Sequence, residues 1–417
     1  MEGRLSEIAA KAAADRLDDV QIKGAELKIT PLKAATPEEA KTLAHRLYRM
    51  MPNLRVTSLL AEVDRWTGFS GAFTHLQSGA PADDRRVVLT AVLADATNLG
   101  LTRMAEVCSV ASYRQLAWTA AWHLREETYR RALAILVNAQ QEQPLAVLFG
   151  AADVSSSDGQ HFPTAGPGEA VGAVNAHYER TASILFYTHL SARQAPYHTI
   201  AIPPAGEAAY VIDGLLYREA DLSIATHHTD GGGVSDHNFA LAHLLGFYFA
   251  PRIPNLSERR LYTFGPKSTW PVFEPFIAGR VDEKLIAAHW NDVLRLATSV
   301  RTGVASASLL LKRLGAYPRQ NGLARALREI GRIERTLFIL DWLELPPLRR
   351  QATAELNKGE ARNALARAHH PPVTLQHEPR SAACAHRVYR IEDCICRRAE
   401  RTKSPICCRP QHGFHAV

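Results

Sequence analysis

Cysteine is nearly missing from the first 368 residues of this 417-residue sequence. Cys108 stands alone there, while Cys384, Cys394, Cys396, Cys407 and Cys408 crowd the end. A body of that size with one thiol offers no disulfide framework and points to a reducing compartment. The late cysteines are spaced C-x9-C-x-C-x10-C-C, which does not match a paired C-x-x-C zinc module. Long apolar runs are also lacking. The longest, Phe239 to Pro251, contains His243 and is too short to span a bilayer, so no membrane partner is expected. The opening residues, MEGRLSEIAAKAAADRLDD, are charged and hold no hydrophobic segment of a secretory signal. A soluble intracellular protein is expected. Charge of one sign is weak as well. The net charge of +7 divides into +4 for residues 369–417 and +3 for the rest, so only local clusters can argue for a nucleic-acid partner. What is present is ordinary: 46% hydrophobic and 22% charged residues, enough for a core and against wholesale disorder.

Texture divides the chain. Residues 1–57 alternate Ala and Leu with charge and predict helices, one of them starting at Thr36-Pro37-Glu38-Glu39. Residues 58–145 also predict helices, with apolar stripes at Val87, Val88, Ala91, Val92 and Ala94 and along Leu116 to Leu136. From 146 to 253 the pattern turns α/β. Ile184–Ser191 and Tyr197–Pro203 are β-rich and close enough for a hairpin. Helix is expected over Ala208–Tyr217, strand over Asp221–Thr226, helix over Ser235–Leu245 and strand over Gly246–Ala250. Residues 254–353 read as mostly helical, with Leu323, Leu327, Ile330, Leu337 and Leu340 on one face. A last helix spans 354–368, and periodicity stops at His369-His370-Pro371-Pro372.

Three acids stand out by position. Asp158 lies in Ser155-Ser-Ser-Asp-Gly-Gln160, where small neighbours leave room for a metal or a backbone. Asp230 ends a strand candidate and precedes three glycines; in open α/β sheets, ligands bind at that end. Glu360, on the last helix, is in register with Leu356 and Ala364 and projects from, or beside, the packed face. Two Asp on strands and a Glu on a later helix are what two-metal phosphoryl transfer requires, because carboxylate oxygens suit Mg²⁺ and two ions can stabilise attacking and leaving oxygens together. Without metal, converging carboxylates repel and take up protons. Plain turns at Asp158-Gly159 and Asp230-Gly231 are the competing explanation.

Other clusters have competing explanations too. Arg325, Arg328, Arg332 and Arg335 form a stripe opposite the apolar face. It could track a DNA phosphate backbone, or it could be a solvated face with an Arg325–Glu329 pair. His227, His228, Asp230, Asp236 and His237 hold zinc-type donors, but neighbours on a strand face opposite ways, and Asp236 suits a helix N-terminus. Trp66, Trp118 and Trp122 read as core rather than as base-stacking platforms. Gly231–Gly233 is not a P-loop, since no Gly-Lys-Ser/Thr follows.

In order along the chain, Leu60-Ala-Glu-Val-Asp-Arg-Trp-Thr-Gly-Phe69, Phe73-Thr-His-Leu76, Ala94–Ala105, Leu116-Ala-Trp118, Ser155–Gln160, Asp213-Gly-Leu-Leu-Tyr217, Thr229-Asp230, Leu244-Leu-Gly-Phe247, Tyr317–Gly322, Gly331–Thr336 and Leu356–Leu365 resemble the catalytic region of transposases of the Tn-three family. The resemblance covers about residues 53–368. It implies an α/β fold: a ribonuclease-H-like mixed sheet, a preceding helical region and a helical insertion before the Glu. It also implies a DDE triad, falling here on Asp158, Asp230 and Glu360 as metal-holding catalytic residues. The implied activity is Mg²⁺-dependent cleavage and strand transfer at transposon ends, with Mn²⁺ as a substitute. The implied partners are transposon-end and target DNA and further copies of the chain, in bacterial cytoplasm at the nucleoid. An inactive remnant that binds DNA without sequence preference is the alternative. Family members are longer at the N-terminus, and their pattern continues past the Glu helix. The His/Cys/Pro/Arg-rich residues 369–417 are therefore expected to be an unfolded tail arising from a frameshift.

Overall fold

The computed structural model describes residues 1–31, 37–97, 99–163, 183–203, 206–253, 260–316 and 321–369. The stretch expected to be helical from the start departs from that expectation after its first helix, α1 (Glu2–Ala13). Strands β1 (Val20–Lys23) and β2 (Glu26–Ile29) pair antiparallel, because Gly24 takes φ +59° at the turn, a conformation costly for side-chain-bearing residues. Helix α2 (Glu38–Met50) follows Pro37, with two acids in its first turn; Thr36 lies outside the described residues. Leu5 and Ile8 of α1 are fully buried, and Trp270 donates from its indole to Ser6.

Five helices come next: α3 (Val56–Thr67), α4 (Arg85–Ala96), α5 (Gly100–Val107), α6 (Tyr113–His123) and α7 (Glu126–Gln141). Side chains close several of their turns. Asp84 accepts from Arg86 N, Ser112 and Gln115 form a reciprocal capping box, and Asp64 accepts from both the amide and hydroxyl of Ser70. Phe73 and Tyr129 fill this core edge to face, 5.1 Å apart. The tryptophans do not: Trp66 is 40% and Trp118 51% exposed, and the His75 ring stands 5.0 Å from Trp122 and 5.7 Å from Trp118.

Strands β3 (Val154–Pro163), β4 (Ser183–Ser191) and β5 (Pro196–Ile202) form an antiparallel run, and β4–β5 is the expected hairpin. The chain then crosses through α8 (Val211–Leu216) to β6 (Thr226–Thr229), and through α9 (Asp236–Leu245) to β7 (Tyr248–Phe249). Both β6 and β7 run parallel to β3, so the sheet order is β5-β4-β3-β6-β7. The strand expected at Asp221–Thr226 is displaced: it begins only at Thr226, where β6 pairs with Val154 and onward.

The expected helical insertion holds a second sheet, β8 (Leu261–Thr263) parallel to β9 (Ile277–Arg280), before α10 (Glu283–Arg301), α11 (Ala307–Ala316) and α12 (Gly322–Glu344). Helix α12 is buried on more than one side, including Leu327, Phe338, Ile339 and Leu340. It packs close to α9 because residue 331 is glycine; a Cβ there would stand 1.7 Å from the carbonyl oxygen of Asp236. Arg4 and Lys11 of α1 pair with Asp341 and Glu344 at its far end. Helix α13 (Pro346–His369) closes the described structure; of the expected tail, residues 369–417, His369 ends this helix and residues 370–417 lie outside the described residues. Among the described residues, no helix is long and apolar enough to cross a membrane.

Candidate active site

Ser155-Ser-Ser-Asp-Gly-Gln160 lies within β3, the central strand. Its serines are buried without apolar side chains because each finds a partner. Ser155 and Ser157 bond the two ring nitrogens of His227 at 2.8 and 2.9 Å, and Ser157 also meets the Tyr187 hydroxyl at 2.7 Å. On the other face, Ser156 donates to the carbonyl of Glu355 at 3.2 Å and Gln160 to that of Asn363 at 3.0 Å. Period-two alternation therefore turns Ser156, Asp158 and Gln160 toward α13.

Register brings the two aspartates together. Ser157 pairs with Thr229, the last residue of β6, across the parallel β3–β6 ladder, so Asp158 within β3 and Asp230 just past the end of β6 follow at the same level. Asp230 caps the short turn Gly231–Gly233, with Oδ1 accepting from Gly232 N at 3.0 Å. Asp158 accepts from Gly159 N and from Asn363 Nδ2, both at 2.8 Å. Helix α13 lies directly against the strand here: the Cβ position of Gly359 is 3.6 Å from Asp158 Cβ, an ordinary van der Waals contact. Buried Glu355, Leu356, Arg362, Asn363 and Ala366 mark its packed face; Glu360 is exposed beside that face. Lys358 anchors the helix to the carbonyls of Phe149 and Ala192 at 2.6 and 3.0 Å.

The electrostatics record the crowding. Asp158 is pushed up to about 6, chiefly by burial, then by the Asp230 charge, with a smaller push from Glu360. Gly159 N–H and the Arg362 guanidinium pull it down in part. A fourth acid, Glu207, belongs to the same cluster and was not singled out from sequence. It is pushed up to about 7 by burial, then by Asp230 and Asp158. Gly206, at φ +96°, turns the chain immediately before it. A Gly-Glu pair after prolines is too common a pattern to have marked it. As positioned, no three His, Cys, Asp or Glu side chains among the described residues are gathered closely enough to hold an ion. The acids do not form a finished coordination shell.

The other candidates are held elsewhere. His227 is buried in the Ser155–Ser157 network, and burial holds its pKa far below the ordinary value. His228 points the opposite way to the carbonyl of Ala250 at 2.8 Å, and His237 meets that of Ala324 at 3.1 Å. Asp236 is the first residue of α9 and pairs with Arg335 at 2.5 Å. The arginine stripe is not the open solvent face the sequence implied. Arg332 pairs with Glu329 and lies 4.3 Å over the Tyr262 ring, Arg335 is 14% exposed, and Arg328 is half-buried. Arg325 alone of the four is exposed. The Arg325–Glu329 pair gives way to Arg332–Glu329.

Comparison with known proteins follows the same lines. The family model described as Tn3 transposase DDE domain matches residues 58–371. The chain is 51% identical over 369 residues to the transposase for transposon Tn501 of Pseudomonas aeruginosa and, over an equal span, to that for transposon Tn21 of Escherichia coli. It is 40% identical over 368 residues to the transposase for transposon Tn1546 of Enterococcus faecium. Each match covers 88% of this chain and 37% of the relative, so the chain spans little more than a third of the length of these proteins. With the model matching most of its length, the chain belongs to the family of the Tn3 transposase DDE domain.

Proposed function

We propose that this chain is the DNA-cleaving and strand-transferring region of a transposase, with Asp158, Asp230 and Glu360 as its catalytic acids. The observation that carries this reading is the adjacent register of Asp158 and Asp230, with the Glu360 helix bonded to the same strand. The sheet order β5-β4-β3-β6-β7, with three antiparallel strands followed by two parallel ones, supports a ribonuclease-H-like core.

The donor set suits a divalent cation. Its oxygens are hard ligands, and the carboxyls of Asp158 and Glu207 are held above their ordinary range partly by mutual repulsion, which a cation would relieve. Asp158, Asp230 and Glu360 would hold Mg²⁺, or Mn²⁺ in its place, and two such ions would supply charge neutralisation at the phosphorus and an activated oxygen nucleophile. The residues contribute positioning: Asn363 and Gly159 N–H fix the Asp158 carboxylate, the turn at Gly232 fixes that of Asp230, and Lys358 fixes the helix that carries Glu360. Transposon-end and target DNA are the proposed substrates, further copies of the chain the proposed partners, and the bacterial nucleoid the proposed place of action.

The test is incubation of the 417-residue chain with supercoiled plasmid and Mn²⁺. Nicks with 3′-hydroxyl ends, extendable by a polymerase without phosphatase treatment and absent with chelator, are expected. No metal-dependent nicking would favour the inactive remnant.

A further inference from the structure

We propose that Glu207 is a fourth carboxylate of this site, a ligand of the divalent ion held beside Asp230. This rests on reading Asp158, Asp230 and Glu360 as the metal-holding acids.

Glu207 reaches the sheet from the side opposite α13. Ser156, Asp158 and Gln160 face α13, and Glu207 lies over the residue between the last two, Gly159. Two glycines make its place. A Cβ at Gly159 would stand 2.7 Å from Oε1, and one at Gly232 would stand 2.9 Å from Oε2. One oxygen thus rests against the central strand and the other against the turn that Asp230 caps. Any larger residue at either position would push the carboxylate away.

The same Cβ position at Gly232 is 3.3 Å from Asp230 Oδ1. One Glu207 oxygen and one Asp230 oxygen therefore flank a single point within 3.3 Å. A small side-chain closure would let an ion with metal–oxygen bonds of about 2.1 Å bridge them. Among the described residues, His161 is the only basic side chain paired with Glu207, and its Nε2 is 4.0 Å from Oε1, beyond a hydrogen bond. A largely buried carboxylate set beside two others, with no donor at hydrogen-bond distance among the described residues, needs a proton or a cation to offset its burial. The triad alone leaves this side chain without a role.

The experiment is Mn²⁺ binding by the 417-residue chain, followed by the electron paramagnetic resonance of the unbound ion. Wild type is compared with Glu207→Gln, Glu207→Asp and Asp230→Asn, with circular dichroism confirming the fold. Glu207→Gln should weaken binding about tenfold or more, in the range that disturbing a metal's surroundings gives, and Glu207→Asp should recover part of it. If Glu207→Gln binds as wild type while Asp230→Asn does not, the fourth carboxylate is refuted and the triad stands. If all variants bind as wild type, both readings fall. A second readout needs no variant. Fe²⁺ with ascorbate and peroxide cuts backbone beside a bound ion. Cuts near Asp158, Asp230 and Glu207 are expected; cuts near the first two with none around residue 207 would overturn the proposal.

Discussion

Asn363 donates from Nδ2 to Asp158 Oδ2 at 2.8 Å, joining the last described helix to the central strand across more than 200 residues of sequence. This bond orients one proposed ligand by the helix that carries another. Asn363→Ala should destabilise the fold by about 1 kcal/mol, the usual net worth of a hydrogen bond. It should slow Mn²⁺-dependent nicking far more than that loss explains, because Asp158 would then turn away from its productive position. Thermal melts and nicking rates on the same preparation check both halves.

The crowded acids predict a stability profile with pH. An acid whose folded pKa stands above its unfolded value binds its proton more tightly when folded. Its contribution is present at low pH and is lost as pH rises through the folded pKa. For Asp158 the window runs from 3.8 to about 6, and for Glu207 from 4.5 to about 7. In metal-free buffer at pH 7.5, Asp158→Asn and Glu207→Gln should each be more stable than wild type, by up to roughly 3 kcal/mol. The two gains should not add, since the repulsion is shared. Below about pH 4 the gap should close. Urea titrations across this range measure it; variants less stable than wild type at pH 7.5 would contradict it.

Gly331→Val should destabilise by more than the 1–3 kcal/mol typical of overpacking. The contact it would violate is with backbone, 1.7 Å from the Asp236 carbonyl, so no side chain can yield. Because α9 leads out of the Asp230 turn, Mn²⁺ binding should weaken as well. Chemical denaturation and Mn²⁺ titration test this together.

The arginine stripe should split by burial. Arg335→Ala leaves the largely buried Asp236 without its 2.5 Å partner and should lower stability by a few kcal/mol. Arg325→Ala should leave stability unchanged, weaken binding to random duplex DNA and reduce the salt slope by about one. Equal effects of the two variants on DNA binding would show that pairing does not sort them.

Legibility in the sequence followed the source of each element's stability. The β4–β5 hairpin was readable because Ile184, Leu185, Phe186 and Tyr187 are good strand residues joined to Tyr197–Ile202 by a short turn. β3 carries little apolar strand pattern of its own, although it is central. Ser155, Ser156 and Ser157 are buried by bonds to His227, Tyr187 and the Glu355 carbonyl, which lie far away in sequence. The β1–β2 hairpin was hidden because strands of four residues are too short to show a period. The spacing of Arg325, Arg328, Arg332 and Arg335 fits either a phosphate-tracking or a solvated face, because helical spacing reveals a face but not what packs against it. Gly331, which lets α9 approach, was read only as part of a motif. Asp158, Asp230 and Glu360 stand out in the sequence as candidates because acids beside small residues or at a strand end are conspicuous. Glu207 had no such mark, since its place is made by Gly159 and Gly232 from two other segments.

The most direct measurement is the rate of Mn²⁺-dependent plasmid nicking by Asp158→Asn, Asp230→Asn and Glu360→Gln beside wild type and Asp236→Asn. Each of the first three removes a proposed hard ligand, while Asp236 is engaged with Arg335. Loss of nicking to background in those three, with folding intact and Asp236→Asn retaining activity per folded molecule, is the predicted result. Wild-type nicking by Asp158→Asn or Glu360→Gln would contradict the account.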